Sequence, residues 1–177
     1  MNIEAIEQSH SVMNTTVSRT RFLLAVLLTT ALDQLSKLVI VDRLQGGDPI
    51  SIIPGFFNLV IAYNKGVAFG VFADIGHDGA RYVVLAITTA IALGAVWYFA
   101  RQEQCRSRTA QIALAMIVGG AFGNIIDRVR LGHVVDFLDV YYGSYHWPAF
   151  NLADSFICIG VGLLLFFTPA TAETKKG

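Results

Sequence analysis

Four long apolar runs constrain this chain more than any other feature. They are RFLLAVLLTTALDQLSKLVIV from Arg21 to Val41, YVVLAITTAIALGAVWYFA from Tyr82 to Ala100, TAQIALAMIVGGAFGNII from Thr109 to Ile126, and ADSFICIGVGLLLFFTP from Ala153 to Pro169. Each approaches the roughly 20 residues that a helix needs to cross a bilayer core. A helix is the economical solution there, because it satisfies its own backbone where lipid offers no hydrogen-bond partners. The expected fold class is therefore an all-α integral membrane protein with four transmembrane helices, at about 21–41, 82–100, 109–127 and 153–169. The last run is short if it starts at Ala153, which puts its first turn in the interface. Composition agrees: the chain is 54% hydrophobic and 15% charged, more apolar than a soluble domain of this length.

The first run is too long for a cleavable signal peptide and lacks a small-residue cleavage site. It is read as a retained span after a polar tail, residues 1–18, within a single transmembrane domain over 19–170 that is followed by a short tail, 171–177. Zero formal net charge leaves no electrostatic footprint for nucleic acid. The two cysteines, Cys105 and Cys158, form no disulfide framework or thiolate metal cluster by spacing.

Four spans place both termini on one side, and basic residues choose it. Arg19, Arg21, Arg101, Arg106, Arg108, Lys175 and Lys176 lie on the terminal side; Arg43, Lys65, Arg81, Arg128 and Arg130 lie opposite, among several aspartates. The bias points to cytoplasmic termini. The outer loops are then about 42–80 and 128–152. In the first, DPISIIPGFFNLVIAYNKGVAFGVF alternates β-branched and aromatic runs with Gly, Pro and Asn, the pattern of short strands. A small extracytoplasmic β element is expected between helices 1 and 2.

With that orientation the polar residues fall at one depth. Asp33 and Lys37 lie in the outer half of the first span, Asn124, Asp127 and Arg128 at the outer end of the third, and Asn151, Asp154 and Ser155 at the outer start of the fourth. Asp136 is in the loop between the last two. Intramembrane charges are costly and usually face a bundle interior with a partner, so this layer is a candidate site. Plainer readings stand beside it. Asp33 and Lys37 have the spacing of an i,i+4 pair. Asn151 and Asp154 have that of an N-cap with an acid at the third helical position. Asp127 ends a helix, where the dipole disfavours an acid, so a structural ion pair with basic neighbours suits it.

Asp136 differs. Val135 and Phe137 flank it and no basic residue lies within two positions, so desolvation is expected to raise its pKa. Asp154 sits where a helix dipole favours negative charge. Two carboxyls in such contrasting surroundings have the pattern of an acid/base pair that shares one proton. Spacing alone leaves other uses of these acids open. His133 and His146 share the loop with Asp136, but no HExxH or CxxC spacing supports a metal site. GGAFGN lacks the preceding strand of a phosphate loop, and its glycines are read as a close helix–helix contact.

DQLSK (33–37), NKGVAFG (64–70), GGAFGNIIDR (119–128), VVDF (134–137) and FNLADS (150–155) together resemble the bacterial lipoprotein signal peptidase family, signal peptidase II, over roughly residues 20–170. The resemblance implies a four-helix intramembrane aspartic endopeptidase of the bacterial inner membrane, with its active site near the outer leaflet. Such an enzyme removes the signal peptide from prolipoproteins, cutting just before the diacylglyceryl-modified lipobox cysteine. It implies that Asp136 and Asp154 are catalytic. Asp33, Lys37, Asn64, Gly66, Asn124, Asp127, Arg128, Asn151 and Ala153 would shape the site and hold substrate. It further implies an outer β-cradle, no metal or organic cofactor, contact with membrane lipids, inhibition by the cyclic peptide globomycin, and action as a monomer. Val67 departs from the small Ala of many members, and residues 1–18 extend beyond the usual start. Two other classes use intramembrane acids. A proton-relay or transport protein would leave polar groups in both leaflets, and an assembly subunit would tolerate Asp→Asn changes.

Overall fold

The computed structural model describes residues 19–44, 47–65 and 107–167, with Ala90, Gly94 and Trp97 as isolated helical positions. The expected tails 1–18 and 171–177, Gly66 and Val67, and the rest of the expected second span lie outside the described residues. Among the described residues there are three helices, α1 (Arg19–Leu44), α2 (Arg108–Leu131) and α3 (Leu152–Phe167). Four strands accompany them: β1 (Ile50–Ile53), β2 (Phe57–Asn64), β3 (Val134–Tyr142) and β4 (Tyr145–His146). The helices α1, α2 and α3 correspond to the expected first, third and fourth spans.

Helix α1 contains no glycine or proline, and its mid-helix hydroxyls return to their own backbone. Thr29 and Thr30 Oγ1 donate to the carbonyls of Ala25 and Val26, at 2.8 and 3.0 Å. Its exposure is the reverse of a soluble helix: Leu27 is 64% exposed and Leu35 59%, while Asp33 is 0% and Lys37 4% exposed. Two of the described helices, α1 and α2, are long and apolar enough to cross a membrane, and α3 is a shorter apolar helix. Helix α2 starts on Ser107, whose Oγ accepts the Ala110 N–H, and ends at Gly132 with φ of 81°. That left-handed turn, which glycine adopts without a Cβ penalty, lets Gly132 N–H bond Arg128 O and sends the chain directly into β3.

Small residues bring the helices together. A Cβ on Gly119 would lie 2.6 Å from Thr29 Cβ, one on Gly120 2.5 Å from Ala153 O, and one on Gly123 against the Asp33 carboxylate. Gly119 and Gly123 are four apart and face α1; Gly120, turned by about 100°, faces α3. The expected role of GGAFGN as a close helix contact is what these distances show. Toward the opposite end, Ala110, Ala113, Leu114 and Ile117 pack on Leu164, with Phe22 and Leu163 against them.

The sheet corrects two expectations. The strand order is β1-β2-β3-β4, with antiparallel pairing, so the β element is not confined to the segment after the first helix, and the fold is not all-α. Residues 134–146, expected as part of a loop over 128–152, supply two of its strands. VVDFLDVYY is a β-branched and aromatic run whose backbone finds its partner in β2, with Ala62 opposite Asp136 and Asn64 opposite Val134. On its other edge Phe150 O accepts from Phe137 and Leu138 N–H, and Phe150 N–H returns to Leu138 O. Residues 150–151 are thereby tied beside Asp136.

The packing makes a prediction. Gly123→Ala should destabilise the protein by about 1–3 kcal/mol through overpacking. Gly162→Ala, where a Cβ meets nothing within 4 Å, should not lower stability. Thermal unfolding of the two variants in detergent checks this, and equal unfolding temperatures would refute the contact.

Candidate functional site

Among the described residues, the buried side chains of Asp33, Lys37, Asp127, Asp136 and Asn151 gather where α1, the end of α2, the start of β3 and the start of α3 meet. At the centre is Lys37, whose Nζ lies 2.8 Å from Asp33 Oδ2, 2.8 Å from Asp127 Oδ2 and 3.1 Å from Asn124 Oδ1. The ammonium thus has three acceptors for its three N–H groups, as a charge buried in apolar surroundings requires. The i,i+4 pair of Asp33 and Lys37 is present, and it also serves the site. Asp33 Oδ1 accepts the Ala153 N–H at 2.9 Å and so holds α3 to α1.

Asp127 has the expected ion pair, but with Lys37 of a different helix. Its Oδ2 also accepts the Val135 N–H at 3.3 Å, beside Asp136. Arg128 Nη1 donates to Asn124 O at 3.3 Å. Asn124 relays the network onward: its Oδ1 accepts from Lys37 and from Asn151 Nδ2 at 3.2 Å, and its Nδ2 donates to Asp154 Oδ1 at 2.8 Å.

Asn151 and Asp154 form a capping box. Asp154 N–H donates to Asn151 Oδ1 at 3.0 Å, and Asn151 N–H donates to Asp154 Oδ2 at 3.3 Å, satisfying free donors of the first turn of α3. The cap does more than end a helix. Asn151 Nδ2 also donates to Asp136 Oδ1 at 2.7 Å, so one asparagine touches both carboxylates. Asp136 Oδ2 accepts from Asn64 Nδ2 at 3.0 Å, which the register allows because Asn64 lies diagonally across β2 from it.

Strand alternation separates Asp136 from Asp139, three residues on and facing the other way. Asp139 accepts from Asn58 and pairs with His146 Nδ1 at 2.8 Å, and His146 stacks on Tyr141. His133 meets Tyr63 edge-on. Among the described residues, no group of three or more His, Cys, Asp or Glu side chains is placed to hold a metal ion.

All the expected site residues except Gly66, which lies outside the described residues, belong to this one cluster. Sequence reasoning missed Gln34, which joins it by donating to Asp127 Oδ1 at 2.8 Å and to Gly123 O at 3.1 Å. A glutamine next to Asp33 and three residues before Lys37, inside an apolar helix, was the available signal.

Asp136 is 3% exposed. Burial pushes its carboxyl from the ordinary 3.8 up to about 6; the hydrogen bond from Asn64 opposes the rise, the charge of Asp154 adds to it, and Asn151 and Lys37 oppose it further. A raised folded-state value means that the folded protein holds this proton more tightly than the unfolded chain. The associated stability is complete below about pH 3.8 and is lost as pH rises through about 6. The unfolding temperature should therefore fall between these pH values, and Asp136→Asn should remove that part of the slope. An unchanged slope in the variant would refute the assignment.

Residues 25–169 match the family described as Signal peptidase (SPase) II. The chain is 47% identical over 143 residues to the lipoprotein signal peptidase of Syntrophotalea carbinolica, covering 81% of this chain and 87% of that protein. It is 46% identical over 145 residues to the lipoprotein signal peptidase of Aeromonas hydrophila, covering 82% and 86%. The fold is similar to a bacterial membrane enzyme solved by the in meso method at 1.9 Å resolution. The TM-score is 0.72 at 32% identity, over 86% of this chain and 94% of that one.

Proposed function

The chain belongs to the signal peptidase II family, and from that membership we propose that it removes the signal peptide from diacylglyceryl-modified bacterial prolipoproteins, cutting just before the lipidated cysteine. The observation that carries the chemical reading is the linkage of Asp136 and Asp154 through Asn151 in a buried polar layer. The two carboxyls share one proton. Asp154, accepting hydrogen bonds at the start of α3, takes a proton from water as the water oxygen attacks the scissile carbonyl. Asp136, the carboxyl whose hold on a proton burial strengthens, gives the shared proton to the leaving nitrogen as the C–N bond breaks. The products are the signal-peptide carboxylate and the free amine of the lipidated cysteine. A proton passing from Asp154 to Asp136 restores the starting pair.

The remaining residues support this pair. Asp33, Lys37, Asn124, Asp127, Arg128 and Asn151 hold the layer together, and Asn64 with Gly66 and Ala153 borders the substrate backbone. The substrate's signal helix enters from the lipid side, its acyl chains staying in the bilayer. The protein has four spans, counting 82–100, with both termini in the cytoplasm of a bacterial cell whose inner membrane holds it. It acts as a monomer and is inhibited by globomycin. The reaction needs water and two carboxyls and no cofactor. A proton-relay carrier is not favoured, because the buried ionisable groups of the described residues gather at one end of the helices.

The test uses the purified full chain in lipid bilayers. It should cleave a diacylglyceryl-modified prolipoprotein to leave cysteine at the new N-terminus, and leave the unmodified precursor intact. Asp136→Asn and Asp154→Asn should each lower kcat by at least about 10³-fold while the protein stays folded. Near-normal turnover in either sinks the pair; an inactive Asp127→Asn beside an active Asp136→Asn would move the role to Asp127. A reporter fused after Gly177 should be active only in the cytoplasm, and an external signal would overturn the orientation.

A further inference from the structure

Gln34 occupies a junction that the proposed mechanism leaves unused. Its Nε2 reaches Asp127 Oδ1 at 2.8 Å and Gly123 O at 3.1 Å, with Asp33 Oδ2 at 3.3 Å. With Oδ1 of Asp127 held in this way, Oδ2 is aimed at Lys37 Nζ, at 2.8 Å, and at the backbone N–H of Val135, at 3.3 Å. That last bond joins the end of α2 to the second residue of β3, one residue before Asp136. An unbroken series of contacts therefore runs from α1 through α2 to the strand that carries one of the two carboxyls.

We propose that Gln34 is a positioning residue for the peptidase reaction: it orients the Asp127 carboxylate, and Asp127 sets the placement of Asp136 opposite Asp154. The inference rests on the reading of Asp136 as a member of the reacting pair. The chemistry of the side chain fits the task. A carboxamide donates without carrying charge, so it turns Asp127 while leaving the ammonium of Lys37 to neutralise Asp33 and Asp127 together. A carboxylate at position 34 would face two acids and a carbonyl with no proton to give. A misplacement of about 1 Å in a reacting group can cost on the order of 10²-fold in rate, so a lost anchor at this distance is felt at the chemical step.

The experiment measures cleavage of the lipidated prolipoprotein by the full chain in bilayers, with kcat and KM separated, and the unfolding temperature of each variant. Gln34→Met keeps the length and removes the donors. It should lower kcat about 10- to 100-fold and change KM by less than about twofold. Gln34→Glu should be at least as severe. Gln34→Glu combined with Asp127→Asn moves the carboxamide to the other partner, where its nitrogen donates to position 34 and its oxygen accepts from Lys37 and Val135. That exchange should recover kcat at least about tenfold over Gln34→Glu alone, a rescue that packing by itself does not give. It also decides the matter if Gln34→Met fails to fold. Asp136→Asn is run beside them. Wild-type kcat in Gln34→Met, whatever its unfolding temperature, or an exchange without recovery, overturns the positioning role while an inactive Asp136→Asn leaves the reacting pair standing. An active Asp136→Asn overturns the pair and this inference with it.

Discussion

A cation buried among apolar helices has to be matched, and the matching of Lys37 organises the rest of the molecule. Leaving one member of such a group without its partner costs about 3–5 kcal/mol, so Asp33 of α1 and Asp127 of α2 are bound to it together. That demand draws α1 against α2, which the absent side chains of Gly119 and Gly123 permit. Each acid then spends its second oxygen or lone pair on another element. Asp33 takes the Ala153 N–H of α3, and Asp127 takes the Val135 N–H of β3. One ion triad thereby fixes three helices and a strand at a single level.

The two carboxyls of the proposed chemistry are not part of that triad but are hung from it by asparagines. Asn124 connects Lys37 to Asp154, and Asn151 connects Asp154 to Asp136. Carboxamides suit this work because each carries a donor and an acceptor on one rigid group and adds no charge. The supports differ as well. Asp154 belongs to a helix start and Asp136 to a strand, so their surroundings are set by different backbones. An apolar cluster of Ala110, Ala113, Leu114, Ile117 and Leu164 fills the space toward the other end, keeping the polar groups in one layer.

Much of this was legible in the residues. The length of the apolar runs identified α1, α2 and α3, and the shared depth of Asp33, Asn124, Asp127 and Asp154 anticipated one layer. The three-residue spacing of Asn151 and Asp154 anticipated the capping box, and the glycines of GGAFGN the close packing. What was not legible depended on contacts between elements. VVDFLDVYY looked like an aromatic loop because its partner, β2, is some 70 residues earlier in the chain, with Asn64 reaching Asp136 across that gap. The sequence places Asp127 beside Arg128, whereas its ion partner, Lys37, meets it from another helix. Gln34 is not legible from sequence, because an uncharged side chain carries little signal until its acceptors, Asp127 and Gly123, are in place. Spacing distinguished Asp136 from Asp139 only weakly; the strand does so by turning Asp139 to Asn58 and His146.

The central claim is that Asp136 and Asp154 work as one unit. Residual single-turnover cleavage, measured with excess protein for Asp136→Asn, Asp154→Asn and the two changes combined, tests it most directly. Groups that act together are non-additive, so the combined variant should cleave no more slowly than either single one. A combined loss equal to the product of the two separate losses would show two independent contributions and contradict the account.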